Sequence, residues 1–464
     1  MKHLFSDFAE VSPEAWKSQI EKDLKGAPYN TLFTESPEGI QIAPFYTENG
    51  KGKNTYNNSD WMVCESVLVE SPKKANAIAL DILNQGITHL LFRVDIALSK
   101  KELVSLLEGI SLVHIRTDFK GIGINKEFIS NYQEYLDTNG IDTLEGTIHI
   151  SPLKRLAQHG HWQRSLEIDF GLIDASAQLS EKGLHPLMVG GDLYHNAGAN
   201  SVQQIAFTLS EISEYLFLLK AKRVSPIAIS KMTLEMGVGT HYFMEIAKLR
   251  ALRQLCSQLF ETYQISPTGF NIYAETDFRN LTVFDAETNL LRTTTQAMSA
   301  ALGGCDSLRV RPFDAAFKYP NDFSNRLARN IQLILKGESY LDKVADPSAG
   351  SYYIEELTDE LAKKAWTLFQ EIEAKGGHLK CLQTGFIQDL IEASHKQEND
   401  AVNAGDKTLL GTNKYPKVDE KMNKSIQKFI FSDTNPGVDV RPIRVCRLSE
   451  ELEKERLSKE VEPA

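Results

Sequence analysis

Asp192 and Asp277 each follow a short apolar run that reads as a strand. Two carboxylates at such a rim can divide the acid and base roles of a reaction. Burying one unpaired costs several kcal/mol. The competing reading is therefore a salt bridge to Arg93, Arg116, Arg309 or Arg311. Those arginines lie in three strand-like runs, and they suit a polar, filled barrel interior as well as an anion site. His149, His159, His161, His185 and His195 cluster around two strand ends. A metal needs three or four converging ligands of fixed geometry. No HExxH helix occurs, so separate loop histidines are the plainer reading. Gly190-Gly191 and Ala197-Gly198-Ala199 could cradle a phosphate at a helix N-terminus. Their spacing is neither GxGxxG nor a P-loop, and the plainer reading is a tight turn.

The elements that must position these residues alternate. A strand at 187–189 leads into a loop at 191–199, then a helix from Val202. Ile205, Leu209, Ile212, Leu216 and Leu219 recur at spacings of three and four, which keeps them on one face. Further helices are expected at 73–85, 99–108, 125–136, 172–182, 242–263, 288–301 and 325–335. Strands are expected at 89–94, 112–115, 147–150, 226–231, 271–275 and 307–310. Strands alternating with helices mean parallel strands and right-handed crossovers. About eight such units favour a closed barrel, in which reactive groups sit on the loops after the strands. The expected fold is α/β, a (β/α)₈ TIM barrel over 61–355. Residues 1–60 form an N-terminal extension, and 356–464 a short helical C-terminal region. The extension carries Trp16, Tyr29, Phe33, Phe45 and Tyr46 with little regular structure, so it packs on its own globule or on a partner. Helices at 357–374 and 385–397, a last strand at 441–446 and a charge run at 448–464, expected as a solvated or frayed terminal helix, complete the reading.

The chain of 464 residues has 51 Lys and Arg against 62 Asp and Glu, a formal net charge of −11. Nucleic-acid binding would need a basic face, and this balance argues against it. No run of about 18 apolar residues exists to span a membrane, and the first residues carry no apolar export core. Five scattered cysteines, without CxxC, fit a reducing compartment. The expectation is a cytoplasmic protein.

Several stretches, in order, resemble the methylmalonyl-CoA mutase family. They include 194–209 (YHNAGANSVQQIAFTL), 243–252 (FMEIAKLRAL), 290–307 (LLRTTTQAMSAALGGCDS), 323–333 (FSNRLARNIQL) and 346–353 (DPSAGSYY). Asp23–Gly26 (DLKG) is similar to the family's N-terminal extension. The resemblance implies an acyl-CoA-binding (β/α)₈ barrel capped by a cobalamin domain. Adenosylcobalamin starts the radical rearrangement of methylmalonyl-CoA to succinyl-CoA in that family.

The sequence departs from the family's catalytic pattern. Where catalytic chains read GYHMQEAGA, this one reads Gly191 to Ala199 as GDLYHNAGA. The substrate-facing Tyr is thus Asp192, the His on the thioester carbonyl is Leu193, and His195 stands for Gln. Leu cannot donate a proton, a role worth about 10²- to 10⁴-fold in rate. The family's Arg and radical-shielding Tyr fall on Cys64 and Ser66, the Gln of GTIQND on His149, and a Ser of TSGWSLT on Asp277. The cobalamin signature DxHxxG is absent from the sequence, and about a hundred residues follow the barrel. The resemblance therefore implies a small subunit with degenerate mouth positions Ser66, His149, Asp192, Leu193, His195 and Asp277. It binds no cofactor or metal itself. Adenosylcobalamin resides in a large catalytic subunit with which it forms a heterodimer, and homodimerisation in isolation is left open. A stand-alone acyl-CoA-binding barrel is the alternative.

Overall fold

A computed structural model describes residues 11–47, 56, 58–221, 230–266, 269–431 and 438–460. Eight parallel strands form the centre: β1 Met62–Leu68, β2 His89–Arg93, β3 Arg116–Lys120, β4 Gly146–Thr147, β5 (Leu184–His185 and Leu187–Val189), β6 Met232–Val238, β7 Phe270–Thr276 and β8 Ser307–Arg309. Pro186 splits β5 because it has no N–H to give to the ladder. β1 pairs with β2 and β2 with β3. Phe119 bridges to Ile148, and β4 pairs with β5. β5, β6, β7 and β8 follow in register, and β8 returns to β1. The circuit closes, and the (β/α)₈ barrel expected from the sequence is the fold.

Helices follow the strands and cover them: α1 Pro72–Asn84, α2 Lys100–Leu107, α3 Lys126–Thr138, α4 Leu166–Ala177, α5 Ser201–Ala221, α6 Tyr242–Thr262, α7 Thr288–Leu302 and α8 Asp322–Gly337. Local chemistry starts several of them. Ser99 and Glu102 form a capping box at α2, and Asn125 and Asn321 cap α3 and α8. A longer helix, Tyr352–Ala374, packs on α5 and α6. Buried Arg250 of α6 fixes it, 2.8 Å from Glu355 and 3.1 Å from Asp346.

Within the barrel, three expected segments need correction. Residues 112–115 (LVHI) form a turn, and the strand is the next five residues, Arg116–Lys120. Its inward side chains Arg116, Asp118 and Lys120 are charged because the barrel interior there is polar, which hid the strand. Of the strand expected at 226–231, residues 226–229 lie outside the described residues, and β6 begins at Met232. The loop expected at 191–199 opens with a helical turn, Gly191–Asn196. Residues 152–159 also form a short helix, Pro152–His159, which the sequence reading passed over.

The N-terminal extension divides in two. Ile40 is buried in the main core, and Tyr46 packs on Tyr353. Glu38 Oε1 accepts from Ser201 N of α5 at 3.3 Å. By contrast, the helix Pro13–Asp23 buries none of its residues. Its Trp16 stacks on Phe45, 4.0 Å between centroids, within the extension itself.

Beyond the barrel come helices His378–Thr384, Phe386–Ala404 and Glu450–Glu460. Residues 441–446 are not a strand; the expected terminal helix forms over Glu450–Glu460, but it is not simply solvated, since Glu450, Glu453 and Leu457 are buried and Glu453 pairs with Arg447 at 2.5 Å. This region lies on the rim at the C-terminal ends of the strands. Val440 N bonds Gly160 O, Ile443 N bonds Ala157 O, Cys446 N bonds Asn196 O and Leu448 N bonds Arg279 O, at 2.7–3.1 Å. It therefore crosses the loops after β4, β5 and β7.

Candidate functional site at the barrel mouth

Alternate residues of each strand point inward. At the base, Arg116 Nη2 donates to Thr147 Oγ1 at 2.7 Å and its Nε to Asp118 at 3.2 Å. Asp118 also accepts from Thr147 N at 2.8 Å and His149 Nε2 at 3.0 Å, and His89 Nε2 lies 3.2 Å away. Burial pushes its carboxyl up, but Arg116 and the two imidazoles hold it well below the usual range. In the middle, Cys64, Leu91, Met188 and Tyr273 form a buried cluster, none more than 3% exposed. The barrel is thus a packed core rather than a channel.

Above this floor opens a cavity of about 520 Å³ lined by Ser66, His149, Lys154, Asp192, Glu275 and Arg309 among others. Lys154, from the short helix after β4, donates to Asp192 Oδ1 at 2.5 Å and Glu235 Oε2 at 2.6 Å. Lys120 reaches Glu235 Oε1 at 2.7 Å. Burial raises the carboxyl of Glu235, but two ammonium groups outweigh it and hold the pKa well below normal. Asp192 shares one lysine and faces Glu235, so burial and like charge raise its pKa. Glu275 holds Arg309, and Arg311 at 3.0 Å.

Three of the six expected mouth positions, Ser66, His149 and Asp192, line this cavity. The other three do not. His195 Nε2 meets Asp277 Oδ2 at 3.2 Å in a separate pair, where Gln296 donates to Asp277 at 2.8 Å and Asn280 donates as well. Burial raises the Asp277 carboxyl, but those partners, His195 first, lower it overall. Leu193 is buried in a cluster with Ile387, Ile391, Val440 and Ile443, turned toward the C-terminal region.

None of the arginines expected to neutralise Asp192 or Asp277 does so. Arg93 faces Asp95, Arg116 faces Asp118, and Arg309 and Arg311 face Glu275. The sequence reading missed Lys154 and Glu235, although the alternation M-T-L-E-M-G-V in β6 marks Glu235 as inward-facing. His149 joins His89 at Asp118 and His159 lies against His161, but the five histidines do not meet at one point, and among the described residues no group of three or more His, Cys, Asp or Glu is arranged to hold a metal ion.

The glycine-rich loop is a packing device. A Cβ at Gly190 would meet Lys154 Cδ at 2.2 Å, and one at Gly191 would meet Thr208 Oγ1 at 2.5 Å. Gly198 has φ +107°, and a Cβ there would meet His395 at 2.7 Å. The N-terminus of α5 is already occupied by Glu38. These contacts support the tight-turn reading over a phosphate cradle. The segment at 438–448 covers part of the rim, and the sequence contains no DxHxxG.

A closed barrel with its polar site at the strands' C-terminal ends places this protein in the (β/α)₈ class. The sequence model described as methylmalonyl-CoA mutase matches residues 96–435. The methylmalonyl-CoA mutase small subunit of Porphyromonas gingivalis is 34% identical over 98% of this chain and 78% of its own. That of Streptomyces virginiae is 29% identical over 90% and 72%. The methylmalonyl-CoA mutase of Rhizobium meliloti is 30% identical over 88% of this chain, which spans only 64% of that relative. The chain belongs to the methylmalonyl-CoA mutase family and resembles the members named small subunit.

Proposed function

We propose that this chain is the non-catalytic small subunit of a two-chain methylmalonyl-CoA mutase in the cytoplasm. Its partner would be a large subunit that binds adenosylcobalamin and acyl-CoA and interconverts methylmalonyl-CoA and succinyl-CoA. The observation that carries this reading is the blocked barrel. Cys64, Leu91, Met188 and Tyr273 fill the space an acyl-CoA would need to reach into, and Lys154 ties up Asp192 where the family has its Tyr. Leu193, in place of the family's His, is turned away from the cavity. What this chain contributes is then a scaffold: residues 61–355 as barrel, 356–464 as rim cover and 1–60 as the arm toward the partner. The helix Pro13–Asp23, folded yet burying nothing, supports that arm. A permanent interface of this kind buries roughly 2,000 Å² or more.

The test is conversion of methylmalonyl-CoA with adenosylcobalamin added, by this chain alone and with the large subunit. Turnover only in a one-to-one complex supports the reading. Turnover by this chain alone overturns it. Absence of complex and turnover, with saturable acyl-CoA binding, transfers support to a stand-alone acyl-CoA-binding barrel, which the cationic mouth favours.

A further inference from the structure

The cavity above the plugged barrel has an unbalanced wall. Six cations line it: Arg93, Lys120, Lys154, Arg155, Arg309 and Arg311. Glu235 and Asp192 hold both lysines, and Glu275 holds Arg309 and Arg311. Arg93 sits at the rim, 3.7 Å from Asp95 and half exposed. Arg155 differs from all of these. It rises from the short helix Pro152–His159, and its Nε is closed from solvent without a hydrogen-bond partner. No ion pair within 4 Å reaches it among the described residues. Asp169, which also lines the cavity, spends its oxygens on Gln163 N and Arg164 N. Asp169 attracts Arg155 from a distance, but among the described residues no carboxylate forms an ion pair or hydrogen bond with this half-buried guanidinium, which leaves the arrangement incomplete.

His149 on the floor adds a second unmet group. Asp118, acceptor-only when ionised, fixes the proton on His149 Nε2. Nδ1 is left as an acceptor with no partner on a side chain only 2% exposed.

We propose that the mouth is a closed-bottomed cup for a small free dianion, a dicarboxylate or phosphate ester, with one anionic group paired to Arg155. A ligand hydroxyl can serve His149 once the floor yields slightly around it. The volume of about 520 Å³ is at the size of small-ligand sites, and the packed layer beneath admits no thioester tail. Cup and subunit reading are independent, because this inference is tested on the chain alone.

Titration calorimetry of the full chain with succinate, malate, glycerol 3-phosphate and coenzyme A separates the outcomes. Support is saturable binding of one of the small dianions with Kd below about 1 mM, weakened about tenfold or more in Arg155→Gln. Arg93→Gln, half exposed and away from the fold's interior, should weaken it less and secures the result if Arg155→Gln melts early. Malate exceeding succinate would engage His149, whereas glycerol 3-phosphate exceeding both would assign a phosphate ester. Equal binding by wild type and both variants overturns the proposal. So does binding of none of the three dianions, or coenzyme A binding tighter than all of them.

Discussion

Lys154 Nζ lies 2.5 Å from Asp192 Oδ1, across the mouth of the barrel. The lysine comes from the helix after β4 and the aspartate from the turn after β5, so the pair locks two rim loops together. Asp192 Oδ1 thus faces an ammonium group rather than the open cavity.

Asp192→Asn should cost about 1–3 kcal/mol, because Lys154 keeps Glu235 as its counter-charge. Glu235→Gln should cost more, about 3–5 kcal/mol, because Lys120 and Lys154 would then lack their shared carboxylate. Urea unfolding of the two variants beside wild type checks the order.

Stability should respond to pH in two opposite ways. Asp118, Glu235, Glu275 and Asp277 have lowered pKa values. Their contribution is complete above the unfolded carboxylate range near 4 and is lost as pH falls through their folded values. Glu211 is the reverse. Burial raises it to about 7, despite a hydrogen bond from Tyr194 at 2.9 Å. The folded state then holds a proton that the unfolded chain releases, so stability falls as pH rises from about 4.5 to 7. Melting curves of Glu211→Gln against wild type should diverge over that window by up to about 3 kcal/mol and run parallel above it.

Gly198→Ala should destabilise by about 2–3 kcal/mol, because it adds a left-handed strain to a collision. The methyl would meet His395 Cβ at 2.7 Å. Gly337→Ala, where nothing lies within 4 Å, is the control in the same thermal-melt series and should be neutral or slightly stabilising.

Native thiol labelling should modify one cysteine. Cys64, Cys256, Cys305 and Cys381 are buried, and Cys446 alone is partly exposed. Mass mapping after alkylation should find the label on Cys446 in native protein and on all five after unfolding.

Removal of residues 11–33 should leave the melting temperature nearly unchanged, because the helix Pro13–Asp23 contributes no buried residue to this chain. Co-purification with the large subunit should be lost. A large drop in melting temperature would mean that the arm serves its own barrel.

The barrel was legible where residues obey the period of their element. β2, HLLFR, reads as a strand because four of its five residues are buried, and the helix caps at Ser12 and Ser99 are written in the chain. β3 was misplaced because its inward side chains are charged and most of their partners lie far along the sequence, as Thr233 does for Arg116 and Glu235 for Lys120. The site divided in the same way. Asp192 and His149 were recognisable as mouth residues, but not the partner of Asp192, because Lys154 lies 38 residues away and meets it only in the closed barrel. Leu193 and His195 sit within three residues yet face different surroundings, which one helical turn decides and linear spacing does not.

The closure of β1 onto β8 sets a timetable. Met62 and Ser307 meet across 245 residues of chain. At a synthesis rate of about 5–20 residues per second, the first strand waits on the order of ten seconds or more for its neighbour. Until β8 is made, β1 lacks the neighbour that closes the barrel. A ribosome-bound helper has that interval in which to act.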